Sequence, residues 1–528
     1  MDEKMSGSYY TPHKTITFMR RYLSEQNIQY NTILEPCAGD GRFVDEFNGS
    51  NSIKSIIAIE LYLEKTKLLL EKKYPKKVSI VTSDFLDYSQ KYNRKFNLII
   101  GNPPYINIKN MDKDFLEKAR NLCSLYQLAE NVVQNSWVAF VLASIRMLDK
   151  KGAIFFVLPL EFLQVQYAEQ LREVLEKQFN TIHILTFKER MFPEIEQEAC
   201  LVYLTNQEHE LSYISYKQFE KLDSSFAITE SKIERNKPLK KWSNAILSDS
   251  DIDVLKSTGE RYTLINDICQ SSPGIVTAAN DKFILTEAEV QKYKCEHLVI
   301  PIIAKGAMVR NCFLIDKKLI QSLSSSGKKV YLLNLSEVTE EDLPIELRDY
   351  LDNVGNTERN GKKIKEGYKC SKRKLWYGVP IIKSGNALFF KRYDVYPRLC
   401  VNPQEIHTTD IAYNIRLNNN YEAESFVFCF YNSLTLAQCE FVGRYYAGGV
   451  SELIPSEFRS LPIPYRTIDK TDIDLLRDMF IENRPLKDIV GFVNLKTIAQ
   501  DLGANEICKL DKIRLQLIGR RKSSMKDL

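Results

Sequence analysis

The sequence predicts an α/β chain: a doubly wound, mostly parallel sheet of seven strands in residues 1–240, followed by a mixed α+β domain in 241–528. Two observations carry this. Through the first 240 residues, short apolar runs alternate with segments whose apolar positions recur at helical spacing, the rhythm of parallel strands joined by crossover helices. Beyond about residue 245 the rhythm stops, and short strand-like pieces broken by glycine, serine and charge take over. A chain of 528 residues is also too long for one ordinary core. The boundary is expected near 235–245.

Seven runs supply the strands: "NTILEPCAG", "IKSIIAIE", "KVSIVTSDF", "KFNLIIGNPPY", "KKGAIFFVLP", "TIHILTF" and "ACLVYLT". The helices between them include "EKTKLLLEKKY", "VVQNSWVAFVLASIRMLD" and "YAEQLREVLEKQF". In the second, Val133, Trp137, Phe140, Val141, Ser144 and Leu148 fall on one face. The later half offers "SSPGIVTAANDKFIL", "IIAKGAMVRNCFLI", "KKVYLLNL", "NALFFKRYDVYPRLCV" and "DIAYNIRL" as strand-bearing pieces, then a helical stretch after about 468 with a basic end. Residues 357–374 hold eight Lys or Arg against two Glu and read as a loop, with Trp376 and Tyr377 directly after. A basic loop beside aromatics suits a phosphate backbone, and equally a solvated surface.

Composition narrows the function classes. Hydrophobic residues make up 44% and charged residues 27%, as in a soluble globular protein. No run of eighteen apolar residues crosses a membrane, and the polar start "MDEKMSGSYYTP" has no signal core. Eleven cysteines without a CxxC pair argue for reduced thiols in a cytoplasmic protein and against zinc; no metal is expected. The net charge of +5 is weak evidence for nucleic acid.

In a doubly wound sheet, ligands sit at the carboxyl ends of the strands, and here four consecutive ends carry chemistry. The first ends in Glu35 and a turn with Gly39 and Gly41, which lets backbone approach a ligand, although a plain turn would use the same glycines. The spacing is not GxGxxG, so a pyrophosphate cradle is not the best match. The second ends in Glu60, placed to accept from two ribose hydroxyls. The third ends in Asp84 and Phe85, an acceptor and a ring for an adenine. The fourth ends in Asn102, Pro103, Pro104 and Tyr105. Proline cannot donate to a ladder, so pairing stops there and the chain stiffens. The five histidines are scattered and none is assigned to catalysis.

At these residues the first 205 or so positions resemble the gamma-class, S-adenosylmethionine-dependent DNA adenine-N6 methyltransferases of restriction-modification systems. "GSYYTPHKTITFM" resembles the motif that closes over methionine, "ILEPCAGDGRF" the glycine loop, "AIEL" and "TSDF" the ribose and adenine motifs, and "GNPPY" the catalytic motif. "VLPLEFLQVQYAEQLREVL" and "RMFPEIEQEACLVYL" are similar to the later motifs. "GIVTAANDKFIL", "KRKLWYGVP" and "GRYYAGGVSELIPSEFRSLPIP" resemble, more loosely, pieces of the family's specificity domains.

The resemblance implies a class I methyltransferase fold over 1–240 and a DNA-recognition domain over 241–528. It implies S-adenosylmethionine held by Tyr10, Thr11, Pro12, Glu35, Cys37, Ala38, Gly39, Gly41, Glu60, Leu61, Asp84, Phe85 and Asn102. Asn102, Pro103, Pro104 and Tyr105 would grip a flipped adenine, with Phe192 as a second aromatic against the base. Thr11 and Pro12 would also cap the helix that starts at His13. Lys372, Arg373, Trp376 and Arg444 are the expected DNA contacts. The expected partner is double-stranded DNA, the expected state a monomer in a prokaryotic cytoplasm, and a cognate endonuclease would act separately. An NPPY enzyme acting on RNA or on a protein glutamine, and a catalytically silent DNA-specificity protein, are the competing readings. No nuclease motif is evident for a fused endonuclease.

Overall fold

The computed structural model describes residues 10–26, 29–192, 198–206, 212–234, 238–359, 361–446 and 449–522. The start of "GSYYTP" and the "PEIEQ" stretch at 193–197 lie outside these residues. The chain divides into two compact units, the first formed by the described residues up to Ile252 together with Tyr446 and 520–522.

The first unit is built on one sheet. Its strands are β1 Thr32–Glu35, β2 Ser55–Glu60, β3 Val78–Thr82, β4 Phe96–Gly101, β5 Leu148–Pro159, β6 Thr181–Phe187, β7 Ala199–Thr205, β8 Tyr213–Phe219 and β9 Thr229–Glu234, in the order 3-2-1-4-5-7-6-8-9. Strands β3 to β5 in that order run parallel; β7 inserts antiparallel between β5 and β6. All seven expected strands are present, and two more extend the edge. The extra pair escaped notice for a physical reason: β8, "YISYKQF", is rich in polar residues, and β9, "TESKIE", buries only Ile233. Parallel β-pairing of β4 stops at Gly101, where the prolines begin.

Helices α1 His13–Glu25, α2 Arg42–Phe47, α3 Leu63–Glu71, α4 Phe85–Lys91, α5 Lys113–Leu125, α6 Trp137–Met147 and α7 Glu169–Gln178 accompany the sheet. Residues Ile16, Phe18, Met19, Tyr22 and Leu23 of α1 are buried, at the helical spacing that makes one apolar face. Its N-cap residue is Pro12, with no side-chain cap. Thr11 is therefore not the cap expected of it; it is buried one residue too early, and its carbonyl accepts from Arg42 at 3.0 Å. His183 is a core group, its Nδ1 2.7 Å from the Tyr22 hydroxyl. The unit runs past 240 because Trp242 is wholly buried, its indole donating to Glu176 at 2.7 Å and its ring edge-on to Phe162.

The second unit mixes short strands with helices. Cys269–Pro273, Ala412–Leu417, Ala387–Phe390 and Arg398–Val401 form an antiparallel sheet. Ile284–Leu285, Tyr331–Leu333, Val299–Ile303 and His407–Thr408 form a second, mixed one. Two largely buried helices, Ala423–Phe430 and Ser433–Val442, pack with Lys470–Ile481 and Leu486–Lys496 around the first of these sheets. The basic segment 357–374 is mostly irregular, with one tiny ribbon pairing Glu358–Arg359 with Lys362–Lys363.

Candidate active site

The strand order reverses between β1 and β4, so the loops leaving their ends diverge and open a crevice. A cavity of about 260 Å³ occupies it. Residues 35–40 after β1, Glu60 and Leu61 after β2, Asp84 and Phe85 after β3, and Asn102 and Pro104 after β4 all line it. Tyr10 and Thr11 join them from the segment before α1. Of the expected cofactor residues, Pro12 and Gly41 stand outside the lining.

The β1 loop is shaped by its glycines. Gly39 and Gly41 adopt φ of +56° and +83°, left-handed backbone that side chains rarely tolerate. A Cβ at Gly41 would lie 2.6 Å from both Leu69 Cδ2 and the Tyr74 hydroxyl. The turn delivers the Gly39 N–H to Glu60 Oε2 at 2.9 Å, while the Tyr62 N–H reaches Oε1 at 3.0 Å. Each carboxylate oxygen thus keeps a lone pair for a further donor, and the group cannot swing away.

Asp84 is more engaged than the sequence implied. Its Oδ1 caps α4 through the Leu86 N–H at 2.6 Å, and Lys118 lies 3.4 Å from Oδ2. Phe85 is buried against Phe140, 5.4 Å between centroids. Glu35 is buried, one oxygen has no protein partner, and burial with Asp40 and Glu60 close by pushes its carboxyl well above the usual range. Arg42 donates to Asp40 at 2.6 Å and lies over the Tyr10 ring.

The turn after β4 is clamped from a second segment. Ser136, 1% exposed, donates through Oγ to the Pro104 carbonyl and accepts from the Ile106 N–H at 2.9 Å. Its own N–H donates to the Ile106 carbonyl at 2.9 Å. The Cys37 thiol donates to the Asn102 carbonyl at 3.1 Å, tying this turn to the β1 loop. No described residue donates to the Pro103 carbonyl. Ser136 and Arg42 are site residues that sequence reading missed, since a serine before a helix and an arginine in a first turn carry no distinctive signal.

Not every expected residue joins the cavity. Tyr105 sits beside it, its hydroxyl donating to the Val157 carbonyl at 3.1 Å. Phe192 is 6% exposed and belongs to the core cluster with Met191 and Phe219, so it does not line the cavity. In the second unit, Lys372 is exposed, but the other three expected contacts have structural partners. Arg373 donates to the carbonyls of Val276, Thr277 and Trp376 at 3.2, 2.8 and 3.3 Å. Trp376 packs against Phe283 and Tyr377. Arg444 pairs with Glu457 at 3.1 Å, both side chains largely covered.

Two family models match the chain in succession. The family described as Eco57I restriction-modification methylase matches residues 16–192, and the C-terminal domain of Type II methyltransferase M.Eco57I matches 239–498. Type II methyltransferase M.AccI of Acinetobacter calcoaceticus is 23% identical over 401 residues, 71% of this chain and 69% of that one. M.HincII of Haemophilus influenzae is 24% identical over 291 residues, covering 54% of this chain and half of that one. The solved structure of the Type IIL restriction-modification enzyme MmeI with DNA superposes with a TM-score of 0.57 at 12% identity, covering 97% of this chain and 73% of that one, a likeness of fold.

The cofactor of this family and fold is S-adenosylmethionine, and the cavity fits it. The unpartnered oxygen of buried Glu35 and the acids Asp40 and Glu60 suit a ligand that carries a sulfonium and an ammonium. Glu60, fixed by two backbone N–H groups, and the Phe85 ring line the same cavity. Its two long segments matched in order by the two parts of one methylase, the chain belongs to the restriction-modification DNA methyltransferases.

Proposed function

We propose that the chain transfers a methyl group to N6 of an adenine flipped out of duplex DNA, as the modification arm of a restriction-modification system. The observation that carries this is the turn Asn102–Tyr105, clamped by Ser136, whose Asn102 and Pro104 line the cofactor cavity and whose Pro103 carbonyl takes no hydrogen bond from a described residue.

The N6 amine is a weak nucleophile because its lone pair is delocalised into the ring. The Asn102 side-chain oxygen and the Pro103 carbonyl each accept one of its two hydrogens, which favours a tetrahedral nitrogen with its lone pair facing the donor. S-adenosylmethionine supplies an activated methyl group, so the chain's own task is mainly positioning and exclusion of water. A base within a duplex cannot reach this turn and is extruded first. Unstacking costs a few kcal/mol, offset in part by stacking on Tyr105 at about 1–3 kcal/mol. Phe192, buried in the core, is dropped from this role. No helix among the described residues is long and apolar enough to cross a membrane, and none of their side chains form a metal-binding cluster. The natural partner is double-stranded DNA in a prokaryotic cytoplasm, acted on by a monomer, with any cognate endonuclease a separate protein.

The test is methyl transfer from labelled S-adenosylmethionine to unmodified genomic DNA, with RNA and protein as controls and the digested nucleosides identified by mass. N6-methyladenine from DNA is the expected product. Label confined to RNA or protein overturns the substrate, and labelled cytosine overturns the atom.

A further inference from the structure

The second unit holds a cleft of about 970 Å³, lined in part by the "GIVTAANDKFIL" stretch and the basic segment 357–374. Four stretches distant in the chain line it: the turn 276–281, residues 304–308, the tip 327–329, and the basic segment through Arg359 and Lys369, with Asp410 from a fifth. Five cations face two acids among the lining side chains. Two of the cations are partly neutralised, Lys329 by Glu289 at 3.3 Å and Arg359 by Asp281 at 3.5 Å. Lys305, Lys328 and Lys369 are exposed and make no ion pair with any described residue.

The turn in this cleft is held under strain. Ala278 adopts φ +71°, a left-handed conformation costly for a residue with a Cβ. The Arg373 guanidinium holds the turn by spanning the Val276 and Thr277 carbonyls, and its charge lies 5.6 Å from the Phe283 ring centroid. The Thr277 hydroxyl, donating to Asn280 Oδ1 and accepting from the Ala279 N–H at 3.1 Å, fixes the rest. The outcome is an exposed Asn280 whose amide group is pre-aimed. Unpaired lysines around a wide cleft, with an oriented amide and a carboxylate among them, match what a polyanion with readable edges demands. Lysines meet phosphates, an Asn matches the N6/N7 edge of adenine, and a carboxylate accepts from the cytosine amine.

We infer that this cleft is a duplex-DNA contact site: Lys305, Lys328 and Lys369 engage phosphates, and Asn280 and Asp410 face base edges. The inference rests on the DNA substrate proposed above but places the contact on residues other than Lys372, Arg373, Trp376 and Arg444.

The experiment measures binding of the full chain, with S-adenosylmethionine, to its methylated-and-mapped target duplex and to an unrelated duplex, from low to high salt. The triple variant K305A/K328A/K369A is compared with wild type and with a charge-matched control, K256A/K318A/K487A, which removes three exposed lysines elsewhere in the unit. Each phosphate contact contributes about 0.9 to the slope of log K against log salt. The cleft variant should lose roughly 2–3 from that slope on both duplexes, while the control keeps it. Asn280→Ala and Asp410→Ala should leave the slope unchanged and narrow the preference for the target about tenfold or more, at about 1–3 kcal/mol per mispaired base. Equal slopes for the cleft variant and the control overturn the inference. The expected slope loss in the cleft variant on the unrelated duplex, with no methyl transfer to DNA by the wild type, would keep the cleft and refute the proposed reaction, so the two failures are distinguishable.

Discussion

The cofactor cavity of the first unit and the cleft of the second are both built from loops, yet they are assembled by opposite rules. The cavity collects its central residues from the ends of adjacent parallel strands, each at a fixed place in a repeating βα rhythm, and a few more from the segment before α1 and the starts of α5 and α6 close it. The cleft collects its residues from separate stretches of two short sheets and their connections, spread from 276 to 410. The difference teaches where function is written. A parallel sheet brings all its carboxyl ends to one side, so chemistry there appears as short linear motifs. An irregular α+β unit imposes no such order, and a basic side chain in it is as readily a staple as a contact.

The sharpest break in the comparison is at the turn after β4. Asn102→Ala should reduce methyl transfer by about a hundred- to a thousandfold, the scale lost when one preorganised partner of a reacting group is removed. Cofactor affinity, measured by calorimetry, should change little, because the Glu35, Glu60 and Phe85 environment is untouched. Near-normal turnover by this variant would remove the amide from the mechanism.

The second unit should respond in the opposite currency. Arg373→Ala strips a guanidinium from three backbone carbonyls and leaves them in a half-buried site. It should cost about 1–3 kcal/mol of stability, read as a lower urea midpoint, while leaving the salt slope of DNA binding within error. Loss of slope without loss of stability would restore Arg373 as a phosphate contact.

These expectations also mark how much was legible. Glu60, Asp84, Phe85 and Asn102 were readable because each follows an apolar run at a strand end, and the structure brings them to one cavity. Strands β8 and β9 were not, since pairing to an existing edge rescues sequences too polar to announce themselves. Motif order alone places the Phe192 ring and carries no statement of which side of the sheet it faces; in the structure it joins the core and stands outside the cavity lining. Arg373, Trp376 and Arg444 were read as contacts from charge and neighbourhood. Their partners, the 276–277 carbonyls, Phe283 and Glu457, are up to about a hundred residues away and invisible in sequence.

Ser136 tests whether the clamp matters as well as the gripping groups. Ser136→Ala deletes the acceptor of the Ile106 N–H and the donor to the Pro104 carbonyl in a site closed to water. The turn should loosen rather than collapse, because the two backbone bonds Ser136 N–H to Ile106 and Ile108 N–H to Gln134, at 2.9 and 3.0 Å, persist. A loss of about 1–2 kcal/mol predicts a fall in kcat of about tenfold with KM for DNA and cofactor affinity nearly unchanged. Ser136→Thr, which keeps the hydroxyl, should recover most of it. A proportional rise in KM instead would make Ser136 part of substrate binding.

The smallest expected effect concerns charge at Glu35. Burial, with Asp40 and Glu60 nearby, raises its carboxyl in the folded protein above the ordinary range of the unfolded chain. The folded state therefore binds the proton more tightly than the unfolded state. Stability is lost as pH climbs from the ordinary carboxylate range toward the raised value. A cationic ligand reverses the preference, since it favours the ionised carboxylate, so its binding tightens with pH over the same window. Glu35→Gln removes both dependences. The cofactor-free protein should gain about a degree or two in Tm at neutral pH, relative to wild type. S-adenosylmethionine affinity should fall severalfold and lose its rise with pH, while S-adenosylhomocysteine, which lacks the sulfonium charge, should be affected less. Equal losses for the two ligands would mean that Glu35 serves the shape of the β1 loop and not the charge of the cofactor.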